Sequence, residues 1–151
     1  MATIGILTVS DTRTEVDDLS GPALQSALEA LGYRRFICRI VRDEVPEIVS
    51  AILLLCQECS AVFTTGGTGF SPRDVTPEAT APLLERRADS LVELIRLRGL
   101  EHTPMSHLSR GVAGMRGRTL IVNLPGSPNG AREGVEALGR LLEPILEALR
   151  S

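Results

Sequence analysis

No lysine occurs anywhere in the 151 residues; all 16 basic side chains are arginines. That absence excludes a P-loop lysine, a kinase β3 lysine and a Schiff-base lysine. If such a chain handles phosphate, it must do so with backbone N–H groups, arginine and a metal ion. Tryptophan is also missing and aromatics make up only 3%. That excludes stacking platforms for single-stranded nucleic acid and leaves the core to Leu, Val, Ile and Ala. Positive charge is not in excess either: the net charge of −3 argues against nucleic acid or an anionic membrane as partner. No stretch approaches the roughly 18 apolar residues of a membrane span. The opening MATIGILTVSD lacks a basic segment ahead of its short apolar run, so it reads as a first strand and not as a signal peptide. Cysteine is scarce, with three in the chain, which points to a reducing, cytoplasmic setting.

Hydrophobic residues make up 43% of the chain, within the globular range. The β-branched run Thr3 to Val9 is expected to be a strand, followed by a helix over Pro22 to Leu31 that ends at Gly32. Arg35 to Val41 reads as a second strand and Val45 to Cys59 as a second amphipathic helix. Ser60 to Thr65 reads as a third strand running directly into GGTG. Thr76 is expected to N-cap a helix with Pro77 at its first position. Helical character is then expected over Leu91 to Gly99 and over Met105 to Ala113. Thr119 to Leu124 completes the strands, and Ala131 to Arg150 reads as one long closing helix. Continuous apolar strands alternating with helices predict an α/β fold with a mostly parallel sheet. With no linker, repeat or low-complexity tract, residues 1–151 are expected to form a single domain.

Ligands of such sheets bind beyond the carboxyl ends of the strands. The loops there begin at Ser10, Arg42, Gly66 and Pro125, and they are also the polar, glycine-rich and acidic parts of the chain. In Thr64 to Gly69 (TTGGTG), glycines and hydroxyls permit a tight turn that aims N–H groups at an anion, as a phosphate nest does without lysine. A plain glycine turn is the other reading of the same residues. Asp74, shortly downstream in SPRDVTP, would repel phosphate unless Mg²⁺ lay between them; alone it reads equally as a surface loop carboxylate. The neighbouring Arg73 could pair with a phosphate. Asp43 with Glu44 after the second strand offers a further metal ligand or a solvated pair. Ser10 and Asp11 could bond a ribose or base edge, or cap the next segment. In Asn123 to Pro128 (NLPGSP), Pro125 and Gly126 set a rigid turn and Ser127 is placed to cap the last helix while facing the site. Ser109–Arg110 is a candidate for an anionic substrate tail. Cys56 and Cys59 form a CxxC on a leucine-rich helix with no second pair, so they read as packed thiols, not zinc ligands. His102 and His107 read as surface residues.

Taken together, TTGGTG, RDVTPEAT, LSR and VNLPGSP resemble the molybdopterin adenylyltransferase family, relatives of which include the gephyrin G domain. The resemblance runs from TVSD to NLPGSP, nearly the whole chain. It implies a three-layer α/β/α fold of the molybdenum-cofactor-biosynthesis type, assembled as a homotrimer or hexamer. It implies transfer of AMP from MgATP to molybdopterin, with release of pyrophosphate, and hand-over of the product to the molybdate-inserting enzyme. By that resemblance Asp43 and Asp74 are catalytic and hold Mg²⁺. Gly66, Gly67, Thr68 and Gly69 form the nucleotide-phosphate loop, and Ser109, Arg110 and Ser127 line the pterin and phosphate side. A weakly active or non-catalytic paralogue that binds molybdopterin or nucleotide is the alternative.

Overall fold

The computed structural model describes residues 2–12 and 18–151. Its centre is a six-stranded sheet built from β1 (Thr3–Val9), β2 (Arg35–Val41), β3 (Ala61–Thr65), β4 (Arg86–Arg87), β5 (Ala113–Arg116) and β6 (Thr119–Leu124). The order across the sheet is β2-β1-β3-β6-β5-β4. The first four strands in that order are mutually parallel, whereas β5 runs antiparallel to β6 and β4 antiparallel to β5. Among the described residues six helices surround the sheet: α1 (Ser20–Ala30), α2 (Val45–Glu58), α3 (Thr76–Thr80), α4 (Asp89–Gly99), α5 (Pro128–Leu138) and α6 (Leu142–Arg150). No described helix is long and apolar enough to cross a membrane.

Side chains of a strand alternate between faces, and the alternation here splits the core in two. Ile4, Ile6, Phe63, Val122 and Leu124 pack with Leu24 and Leu28 of α1, Val135 and Leu138 of α5, and Leu142 and Leu146 of α6. Leu7, Val9, Val62 and Ile121 pack on the other face with Ile48, Ile52 and Leu55 of α2. Both faces of β3 and β6 are therefore covered, and every residue of these two strands is buried. This is why they read as unbroken apolar runs. β2 lies at the sheet edge and is only partly covered.

Three expectations need correction. Met105 to Ala113 is not helical: a 3₁₀ turn occupies Pro104–Leu108 and the chain then extends into β5. The antiparallel pair β5–β4 is too short for its own pattern to be legible. The closing helix is divided, because Gly139 at φ +47° ends α5 and a 3₁₀ turn precedes α6. Thr76 lies inside α3, not at its cap; its hydroxyl donates to the Gly66 carbonyl at 2.9 Å.

The register aligns the carboxyl ends of the parallel strands. Val9 pairs with Val41, Thr8 with Thr65, and Thr65 with Leu124. Four loops consequently emerge at one end of the sheet. Two of them touch at their backbones: the Gly66 N–H donates to the Leu124 carbonyl at 3.2 Å and the Thr65 hydroxyl to the Pro125 carbonyl at 2.6 Å. A Cβ on Gly126 would lie 3.1 Å from the Gly66 Cα, so the close approach of these loops favours glycine there.

Candidate functional site

The glycine loop leaves β3 through two successive left-handed residues, Gly66 at φ +101° and Gly67 at φ +68°. Side chains are excluded at both. A Cβ on Gly66 would sit 2.3 Å from the Val9 carbonyl oxygen, and one on Gly67 2.2 Å from the Thr76 hydroxyl. The carbonyls of the loop are each held by the protein. Gly66 O accepts from the Thr76 hydroxyl, Gly67 O from the Thr76 N–H at 3.0 Å, Thr68 O from the Arg110 N–H at 2.8 Å and Gly69 O from Arg110 Nε at 2.7 Å. The N–H groups of Gly67, Thr68, Gly69 and Phe70 donate to no group among the described residues. Paired carbonyls and unpaired, consecutive N–H groups make an anion-binding concavity.

Two carboxylates flank that loop. A Cβ on Gly67 would come within 3.1 Å of Asp43 Oδ1, and one on Gly69 within 2.8 Å of Asp74 Oδ2. Asp74 is oriented by the Ser71 N–H, which donates to its Oδ2 at 3.0 Å. Asp11 accepts the Asp43 N–H at 3.0 Å and forms an ion pair with Arg73. The Arg73 guanidinium, together with that Asp43 N–H, holds the Asp11 carboxyl below its ordinary value. Burial pushes the Asp43 carboxyl above its ordinary value, and the nearby charges of Asp11 and Asp74 push it further. Such a corner has negative charge to be offset. Among the described residues no group of three or more His, Cys, Asp and Glu is placed to hold a metal. Two carboxylates beside consecutive unpaired N–H groups are a donor set that fits Mg²⁺, which accepts one or two carboxylates completed by phosphate oxygens.

A cavity of about 900 Å³ opens beside the loop. Gly67, Thr68, Gly69 and Asp74 line one side, Pro125, Gly126 and Ser127 another, and Val92, Ile95, Met105 and Leu108 give it an apolar wall. Ser109 and Asn123 also line it. Ser127 caps α5, its Oγ accepting from the Gly130 N–H at 3.0 Å, so the positive end of that helix dipole meets the cavity. Ser10 ends β1 close by, its N–H donating to the Val41 carbonyl at 2.9 Å.

The two arginines expected at the site are placed very differently. Arg73 is 71% exposed and bonded to Asp11. Arg110 was expected to meet an anionic tail, but its donors go to the protein: Nε to Gly69 O, Nη2 to Asp74 O at 2.9 Å and to Glu78 Oε1, Nη1 to Glu78 Oε2 at 2.7 Å. Sequence reading assigned no site role to Glu78 or Arg96, and named Thr76 only as a helix cap and Asn123 only as the start of the NLPGSP turn. Asn123 had a visible signal, a polar residue inside the apolar strand TLIVNL. It is 2% exposed, donates to the Thr64 and Thr80 hydroxyls at 2.9 and 3.1 Å, and accepts the Val112 N–H at 3.1 Å. The other three carry no such signal.

With this geometry in view, the comparisons with known proteins are decisive. Residues 5–148 match the family described as "Probable molybdopterin binding domain". The chain belongs to this family. It is 41% identical over 141 residues to a molybdopterin adenylyltransferase of Helicobacter pylori, covering 89% of this chain and 80% of the relative. It is also 41% identical over 145 residues to the Drosophila melanogaster molybdenum cofactor synthesis protein cinnamon, covering 93% of this chain but only 24% of that longer protein. Among solved family structures, the molybdopterin biosynthesis enzyme MoaB of Thermus thermophilus superposes with a TM-score of 0.90 at 46% identity, covering 99% of this chain and 96% of the other. The mostly parallel, helix-covered sheet expected from the sequence is the architecture of this family.

Proposed function

We propose that this chain adenylylates molybdopterin in molybdenum cofactor biosynthesis, with MgATP as donor. The observation that carries this reading is the pairing of an unpaired N–H nest with two flanking carboxylates, at the mouth of a cavity with an apolar wall. The nest suits a polyphosphate and the cavity suits a bulky organic substrate beside it. Family membership and the identity to named adenylyltransferases support the same reading.

The chemistry asks little of a general base. A terminal phosphate oxygen of molybdopterin, already ionised, forms a bond to the α-phosphorus of ATP while the bond to the bridging oxygen breaks and pyrophosphate leaves. What this requires is positioning and charge compensation. In this reading Gly67, Thr68 and Gly69 donate N–H groups to the polyphosphate, and Asp43 and Asp74 hold Mg²⁺. When bound, that ion offsets phosphate charge. Ser109 and Ser127 face the pterin side, and Ser10 and Asp11 lie toward the nucleoside. The resemblance adds a homotrimer or hexamer in the cytoplasm. Light scattering of a stable monomer at micromolar concentration would count against the assembly.

The deciding experiment mixes the purified chain with molybdopterin, ATP and Mg²⁺ and follows pyrophosphate and adenylyl-molybdopterin. Stoichiometric, magnesium-dependent formation of both supports the proposal. Binding of both substrates without turnover would make the chain a non-catalytic paralogue.

A further inference from the structure

We propose that Arg96 and Arg110 act in series as positioning residues that hold the glycine loop in its anion-binding shape. Arg96 lies on α4 and reaches the segment before β5. Its Nε donates to Ser109 O and its Nη2 to Gly111 O, both at 2.9 Å. The two carbonyls belong to the residues on either side of Arg110, so Arg96 grips that segment around it. Arg110 in turn contacts the glycine loop and the turn after it, through Thr68 O, Gly69 O, Asp74 O and the Glu78 carboxylate. The connection runs from a helix that lines the apolar wall of the cavity to the loop that lines its opposite side.

The consequence follows from peptide geometry. In a planar trans peptide, the C=O of one residue and the N–H of the next point in opposite directions. Holding the carbonyls of Gly66 and Gly67 orients the N–H groups of Gly67 and Thr68. Holding those of Thr68 and Gly69 orients the N–H groups of Gly69 and Phe70. Thr76 performs the first half of this task and Arg110 the second. All four N–H groups are thereby set before any anion arrives, which is the condition under which dipoles assist a reaction without reorganising during it. The planar guanidinium fork of Arg96 spans two carbonyls on either side of one residue, and that of Arg110 joins Gly69 O to Asp74 O, a fixed set of directed donors that a point-like ammonium group matches less well.

Hydrogen–deuterium exchange and kinetics test this on the intact chain with Arg96→Lys, Arg96→Ala, Arg110→Ala and the Arg96→Ala/Arg110→Ala double variant. Deuterium uptake over residues 66–78 is expected to rise in both Arg96 variants, although Arg96 makes no hydrogen bond to that segment. The kinetic arm rests on the adenylyl-transfer reading. There kcat should fall roughly ten- to a hundredfold, with a much smaller change in the KM for ATP, because a loop displaced by a fraction of an ångström loses alignment before it loses affinity. The double variant should lose more than Arg110→Ala alone, because the backbone N–H of residue 110 still holds Thr68 O, but less than the product of the two single losses, since Arg96 acts on the loop through residue 110. Lysine at position 96, which keeps the charge, should fail to restore kcat. Unchanged uptake over 66–78 in the Arg96 variants, multiplicative losses in the double variant, or full rescue by lysine would each overturn the proposal. A wild-type chain that transfers no AMP would defeat the reading of function, and the exchange measurement would still decide the relay.

Discussion

Two regions of the site use similar residues and hold them by different physics. At the open corner, Asp11, Asp43 and Arg73 come from three loops and are joined by one ion pair and one backbone hydrogen bond. At the braced loop, Thr76, Arg110 and Asn123 make directed bonds to carbonyls, hydroxyls and an N–H in partly or fully buried surroundings. An exposed ion pair is screened and entropically costly, so it contributes little to stability. A buried donor or acceptor stripped of its partner costs its full desolvation. The corner can therefore rearrange around an arriving ligand, while the loop keeps its shape.

Asp74 belongs to both regions: its carboxylate lies beside Gly69 and its charge helps raise the Asp43 carboxyl, while its carbonyl is held by Arg110. Asp74→Asn is expected to have the largest effect, a loss of turnover of about a hundred- to a thousandfold with the fold intact, the scale of removing one major electrostatic element. Steady-state pyrophosphate release measures it, and wild-type turnover would remove Asp74 from the mechanism. Gly67→Ala comes next. A side chain at a left-handed position costs about 1–3 kcal/mol, and the contact with the Thr76 hydroxyl adds to it. Thermal or urea unfolding should show the loss.

Asn123→Leu should destabilise by about 1–3 kcal/mol by stranding the Thr64 hydroxyl and the Val112 N–H, while the Thr80 hydroxyl keeps its bond to Thr76 O, again read by unfolding. A neutral result would mean that the brace is dispensable. A smaller effect is expected from Glu78, whose carboxyl the Arg110 hydrogen bond holds below its ordinary value. The folded value is depressed, so its contribution is present above the unfolded carboxyl value, about pH 4.3, and is lost as pH falls through the folded value. In Glu78→Gln, the acid limb of the stability profile should be correspondingly shallower. Arg73→Ala should be the mildest, with unchanged unfolding and only a salt-sensitive shift in nucleotide binding. A clear loss of stability there would erase the contrast between the two regions.

β1, β3 and β6 were legible because burial on both faces demands unbroken apolar runs, and GGTG because left-handed turns demand glycine. β4 and β5 were not, since two- and four-residue antiparallel strands leave no period to detect. Asp43 and Asp74 could be named as candidates from their loops, but their shared flanking of the glycine loop was invisible before the strands were placed side by side.

By itself the sequence determined the alternation of strands and helices, the absence of any lysine chemistry and the polar ends where a ligand can sit, because these depend on local periodicity and residue type. Only the tertiary structure decided what each charged side chain does. Arg73 and Arg110 are chemically identical, yet one reaches a carboxylate in solvent and the other a set of carbonyls and a glutamate 32 residues away. Which acceptors come within hydrogen-bonding reach of a guanidinium is set by the packing of distant segments, and nothing in the residues flanking it encodes that.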